Sequence, residues 1–246
     1  MEQIEGRFPV LEALQGSRKL IKLYLLQDGK GETIEKIAHL AETQQVPIQW
    51  MDRNQLNHLS EGRVHQGVIA ELPDKELVTV EEILAIAAAK NQPPFLLILD
   101  GLEDPGNVGS LIRSAAAAGV HGMIMREKRA ASFTPGLIKA TAGAWEYMPI
   151  SVVTNISRTL VQLKEAGVWV AGADMDGELI YQTNLKGPLA IVIGAEGQGL
   201  SRLVKEKCDF LVSLPMVGGV ASLNAAVAGA LVIYEALRQR GVYVKS

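Results

Sequence analysis

LAIVIGAEGQGLS, residues 189–201, runs from five consecutive apolar residues through a glycine-rich turn to a serine that can open a helix. An apolar run without alternation is the pattern of a strand buried on both faces, as in parallel sheets covered by helices. Phe95–Asp100 (FLLILD) has the same form. Similar strands are expected at 120–125, 147–152, 168–173 and 210–214. Helices are expected near 108–118, 156–165, 200–205 and 223–238. The fold class is therefore α/β, built on a parallel sheet. Ligands of such sheets sit beyond the carboxyl ends of the strands. The loops after Asp100, Gly194 and Leu214 are thus the places to look for chemistry.

Upstream lies a smaller α/β pattern. A short helix is expected at 8–14, strands at 20–26, 47–51 and 66–72, and a helix at 31–44 with Ile34, Ile37, Ala38 and Ala41 on one stripe. A charged segment, 73–77, precedes a helix at 80–89, and NQPP (91–94) ends it. The expected division is a first domain at 1–73, a linker with a helix at 74–94, and a second domain at 95–246.

Composition narrows the classes. The chain has 246 residues, one cysteine (Cys208) and a formal charge of −3. A lone cysteine rules out a disulfide within the chain and points to a reducing cytoplasm. The first residues carry charges and lack the apolar run of a secretory signal. No stretch is long and apolar enough to suggest a membrane span. The charge argues against a protein that coats nucleic acid by charge alone, although local patches matter more than the total. Two such patches are Arg18, Lys19 and Lys22, and Arg126, Lys128, Arg129 and Lys139. No His/Cys/Asp cluster has metal-ligand spacing, so no metal is expected.

Three loops stand out. In DGLEDPGNVGSLIR (100–113), Asn107 sits where a helix N-cap belongs, and Arg113 follows about 9 Å further along the axis. In the turn after Ile193 the glycine spacing is G-x-x-G-x-G. A dinucleotide fingerprint is G-x-G-x-x-G, which disfavours an oxidoreductase. In LPMVGGVASLN (214–224), Ser222 is a candidate N-cap for a helix dense in Ala and Gly, whose small residues let another backbone come close.

Together these loops resemble the three motifs of the SpoU (TrmH-type) RNA ribose methyltransferases of the SPOUT superfamily. Asn107 and Arg113 match the first motif, Gly194–Gly199 the second, and Pro215–Asn224 the third. IEGRFPVLEAL (4–14) and VHQGVIA (64–70) resemble the substrate-binding domain of the subgroup that modifies a guanosine of large-subunit ribosomal RNA. There are departures: Ala226 replaces a hydroxyl residue of the third motif, and Thr141 stands where serine is common.

The resemblance implies an L30e/L7Ae-like first domain and a second domain with a deep trefoil knot. It implies a homodimer that transfers methyl from S-adenosylmethionine to a ribose 2′-hydroxyl of structured RNA. It places the cofactor on Gly194, Ala195, Gly197, Leu214, Met216 and Leu223. Catalysis falls to Arg113, with Asn107, Glu196, Ser222 and Asn224 shaping the pocket. Arg126, Lys128, Arg129, Lys139, Arg18, Lys19 and His65 are the expected RNA contacts. A free guanidinium is a poor base, so Arg113 is expected to bind a phosphate and stabilise charge developing on the 2′-oxygen. The competing readings are a transfer-RNA methyltransferase and an inactive ribosomal-RNA assembly factor.

Overall fold

The computed structural model describes residues 1–16, 18–127, 133–220 and 222–241. The chain forms two compact units, one of residues 1–76 with 133–147, the other of 77–132 with 148–246. A single cut does not describe this division, because 133–147 groups with the N-terminal unit.

The first unit is a four-stranded sheet in the order β1-β4-β2-β3. The strands are β1 (Glu2–Glu5), β2 (Lys22–Leu26), β3 (Ile48–Met51) and β4 (Val68–Leu72). β4 runs antiparallel to β1 and β2, while β2 and β3 are parallel. Helices α1 (Arg7–Gln15), α2 (Glu32–Thr43) and α3 (Arg53–Leu59) accompany it. β1 and α3 were not expected from the sequence. β1 is only four residues long and carries two glutamates. α3 is announced by a capping box in which Asp52 and Gln55 bond each other's backbone N–H.

Helix α6 (Pro135–Ala140) packs on β1, and a 3-10 turn, Ala144–Tyr147, follows it. Tyr147, expected to begin a strand, instead bonds Glu12 of α1 through its hydroxyl at 2.9 Å. Arg18 joins Glu2 (2.7 Å) to Glu146 (3.0 Å) in a largely buried cluster. Lys75 donates to the Trp145 carbonyl at 2.6 Å and lies over its ring.

Burial pushes the Lys75 ammonium down to about 8 from 10.5. Between those two values the unfolded chain holds a proton that the folded chain has released. Stability therefore rises with pH across that window and is flat in this group below it. Urea unfolding at pH 7.5 and 9.5 should show the wild type gaining stability relative to Lys75→Met. A constant difference would mean that the ammonium is solvated.

The second unit is a six-stranded parallel sheet, β10-β8-β9-β5-β6-β7. Its strands are β5 (Phe95–Asp100), β6 (Gly122–Arg126), β7 (Ile150–Val153), β8 (Trp169–Leu179), β9 (Leu189–Gly194) and β10 (Phe210–Ser213). Its helices are α4 (Val80–Ala89), α5 (Pro105–Ala117), α7 (Ile156–Glu165), α8 (Arg202–Lys207) and α9 (Ala225–Gln239). Leu96 and Ile98 of β5 and Val192 of β9 share a core with Ile83, Leu160 and Val204 of α4, α7 and α8. Each such side chain contributes about 1.5–3 kcal/mol on burial.

The opposite face is covered by α5 and α9, which pack on each other. Gly229 is where they come closest: a Cβ there would lie 2.5 Å from Leu111 and 3.2 Å from Ile193. That accounts for the small residues of α9. β8 runs past its expected end, because residues 178 and 179 pair with β10 beyond a register shift at Leu211/Val212. Among the described residues no helix is long and apolar enough to cross a membrane.

Candidate active site

The loops after β5 and β9 meet the entry of α9 at a ring of side chains. Asn107 Nδ2 donates to Glu196 Oε2 at 3.0 Å, and Asn224 Nδ2 donates to Asn107 Oδ1 at 2.8 Å and to Glu196 Oε1 at 3.3 Å. One carboxylate thus accepts from both amides. Hydrogen bonds to a charged acceptor are the stronger kind. Segments distant in sequence are tied at the carboxyl ends of β5 and β9, where an α/β sheet places ligands.

Two capping assignments differ from expectation. Asp104, not Asn107, caps α5: its Oδ1 accepts from the Asn107 backbone N–H at 2.8 Å, and Pro105 follows at the first helical position. Asp-Pro at a helix start is itself a sequence signal for this geometry. Three positions past the cap, the Asn107 side chain is free to face Glu196. Asn224, not Ser222, caps α9, its Oδ1 accepting from the N–H groups of Ala226 and Val227. A single amide therefore starts the helix and closes the ring.

The glycine turn is folded back on itself. Ala195 and Gly199 exchange backbone hydrogen bonds of 3.1 and 2.8 Å. A Cβ on Gly194 would lie 2.2 Å from the Gly199 carbonyl carbon. Gly197 and Gly199 have φ of 77° and 67°, the left-handed region. The close approach at Gly194 is therefore to its own turn, which is how Glu196 comes to project toward Asn107. Asp100, which sequence reasoning left out, anchors the end of this turn by accepting from the Ser201 N–H at 2.7 Å.

Leu214, Met216, Ser222 and Leu223 line one cleft of about 420 Å³, with Asp174 and with Ala228 and Val232 of α9. Its volume suits a small-molecule site. Its walls are mostly apolar, and the Asp174 carboxylate binds Lys205 at 2.9 Å. Ala195 and Glu196 line a second, more polar cleft with Arg126. Gly194 is buried, and Gly197 is exposed at the tip of the turn. Arg113 is exposed on α5 and has no hydrogen bond or ion pair among the described residues. Ser222 thus falls with the residues expected to hold the cofactor, and the ring consists of Asn107, Glu196 and Asn224.

The expected RNA contacts fall in different settings. Arg126 is exposed in the second unit. Lys19 and Lys139 are exposed in the first, where Lys139 donates to the Val64 carbonyl at 3.1 Å. Lys128 and Arg129 lie outside the described residues. Arg18 is committed to its two glutamates. The His65 ring is buried, with Nε2 3.0 Å from Asn57 Oδ1 and Nδ1 accepting from the Gly67 N–H. Burial pushes its pKa down. Among the described residues no group of three or more His, Cys, Asp or Glu could hold a metal ion.

A parallel sheet with this ring beside an apolar cleft at its carboxyl edge is the arrangement of a site for a small-molecule ligand. The model of the SpoU rRNA methylase family matches residues 94–234, and that of the RNA 2′-O ribose methyltransferase substrate-binding domain matches residues 3–78. The chain belongs to the SpoU family of RNA 2′-O-ribose methyltransferases. It is 43% identical over 241 residues to the TrmH family tRNA/rRNA methyltransferase YacO of Bacillus subtilis, covering 97% of this chain and 96% of that one. It is 41% identical over 247 residues to the 23S rRNA (guanosine-2′-O-)-methyltransferase RlmB of Pseudomonas putida, covering 98% of both. The crystal structure of the SpoU methyltransferase AviRb from Streptomyces viridochromogenes, in complex with AdoMet, superposes with a TM-score of 0.80 at 25% identity, over 96% of this chain and 89% of that one.

Proposed function

We propose that the chain transfers the methyl group of S-adenosylmethionine to the 2′-hydroxyl of a guanosine in 23S ribosomal RNA. The observation that carries the reading is the Asn107–Glu196–Asn224 ring, whose Asn224 directly follows two residues lining the apolar cleft. The cleft fits the donor: its volume suits a small molecule and its mostly apolar walls suit an adenine face. When bound, S-adenosylmethionine supplies an activated methyl group on a positively charged sulfur. The protein has then to align the reactants and dispose of one proton.

Leu214, Met216 and Leu223 hold the donor, while Gly194, Ala195 and Gly197 act by fixing the turn that carries Glu196. Arg113 binds the phosphate beside the target ribose and stabilises charge developing on the 2′-oxygen. Glu196 and Asn224 orient the ribose and Arg113, Asn107 holds Glu196 and Asn224 in place, and Ser222 acts from the donor cleft beside them. Solvent takes the proton. Arg126, Lys128, Arg129, Lys139 and Lys19 supply positive charge toward the RNA; Arg18 and His65 shape the surface that meets it.

A homodimer belongs to the same reading. Val227, Leu231 and Tyr234 are exposed at helical spacing on the outer face of α9, an apolar stripe suited to a second copy. The trefoil knot and a cytoplasmic location complete the reading.

Incubating the protein with labelled S-adenosylmethionine and unmodified ribosomal or transfer RNA tests it. Label is expected at one guanosine of 23S RNA. Label in transfer RNA alone would transfer the substrate assignment, and none in either would end the proposal.

A further inference from the structure

We infer that the N-terminal unit contains its own subsite for an unpaired RNA nucleotide, with the Phe8 ring as stacking platform and Arg7 and Arg53 as phosphate partners. The inference rests on the proposed action on RNA and adds to it where, and in what form, the RNA is held away from the reacting ribose.

A cleft of about 690 Å³ opens beside the first turns of α1 and α3 and the turn at 62–67. Three arginines line it and, among the described residues, no carboxylate does. Arg63 is already matched, to Glu5 at 2.9 Å and Glu61 at 2.6 Å. Arg7 uses its Nε on the Gln66 carbonyl at 3.2 Å and has no carboxylate partner among the described residues. Arg53 is exposed, and it too has no carboxylate partner among them. Arg7 and Arg53 therefore bring two guanidinium charges to a cleft where, among the described residues, the neighbouring carboxylates Glu5 and Glu61 are paired with Arg63. Lys139, bound to the Val64 carbonyl at 3.1 Å, adds a third cation at the rim.

Phe8 lies on the same cleft with 67% of its surface exposed. A phenyl ring left in water forgoes the burial that a core aromatic gains. A ligand with one flat apolar face and an adjacent anion answers both features, and a nucleotide is such a ligand. Inside a duplex both faces of each base are covered by neighbours, so an unpaired nucleotide is the ligand that offers a face to the ring along the chain. His65, which also lines the cleft, is held in place by bonds at both ring nitrogens. Asn57 spends its Oδ1 on His65, which leaves its Nδ2 to donate to a base edge or phosphate.

The test uses the full chain and a single-stranded RNA 8-mer carrying 2-aminopurine, whose fluorescence falls when the base stacks. Wild type and Phe8→Tyr are expected to quench it. Phe8→Ala, at an exposed position that the fold does not need, should lose the quench and weaken binding by roughly 5- to 150-fold, the range for one stacked base. Arg53→Gln should lower the slope of log affinity against log salt by about 0.7. Equal quench and affinity in Phe8→Ala and wild type, or preference for a blunt duplex over the 8-mer, would overturn the subsite. Methyl transfer to ribosomal RNA alongside that result would leave the proposed function standing. Conversely, a Phe8-dependent quench with no methyl transfer to any RNA would overturn the proposed function and leave the subsite.

Discussion

Replacing Arg113 by alanine is expected to cut the rate of RNA methylation by about 10²–10³-fold, the scale for losing one preorganised donor to developing charge, with affinity for S-adenosylmethionine unchanged. The side chain lies on the exposed face of α5, has no partner among the described residues and is not among those lining the apolar cleft. Its removal therefore opens no core, and stability should stay within about 0.5 kcal/mol of wild type. Arg113→Lys separates two possible roles. Lysine keeps the charge but loses the planar fork that grips a phosphate at two points. If the guanidinium acts by electrostatics, the lysine variant should show a lower plateau in its rate-versus-pH profile with no displacement along the pH axis. If the residue itself takes the proton, the profile should move to lower pH. Unchanged turnover in both variants would remove Arg113 from the chemistry.

The second large effect is expected at Gly194. A Cβ there would sit 2.2 Å from the Gly199 carbonyl carbon and 2.5 Å from the Leu200 nitrogen. Both neighbours are backbone, so no rotamer change can relieve the clash and the turn has to open. The cost of such overpacking is about 1–3 kcal/mol or more. Opening the turn also breaks the paired hydrogen bonds of Ala195 with Gly199 and moves Glu196 off Asn107 and Asn224. Gly194→Ala should thus lower the urea midpoint and abolish methylation together. Gly218→Ala is the control for stability: nothing lies within 4 Å of a Cβ at that position, and the urea midpoint should not move. Wild-type stability and activity in Gly194→Ala would show that the turn does not need its closed form.

The second unit was the more legible in sequence, for a physical reason. FLLILD and LAIVIG are buried on both faces, so every residue reports its environment. Asn107, Glu196 and Asn224 could be picked out as site residues, but not the bonds among them, which join positions far apart in the chain. The capping signal of α5 is local: the Asp104-Pro105 pair carries it, while Asn107 is a residue type that caps but sits inside the helix. Asp174, Asp176 and Glu178 make the second half of β8 look like a loop in sequence. That half pairs only with β10, at the edge of the sheet, where polar side chains are tolerated. The placement of 133–147 was illegible, since its packing on β1 and α1 depends on contacts that no periodicity encodes.

That placement bears on how such a protein can be assembled or taken apart. The backbone passes between the two units three times, near residues 76, 132 and 147. A chain severed after Glu76 would lose α6, the almost fully buried Trp145 and the Glu146 carboxylate that faces Arg18. The N-terminal segment is therefore not a detachable attachment: evolution could exchange it for another module only by rewriting the fifteen residues 133–147 as well.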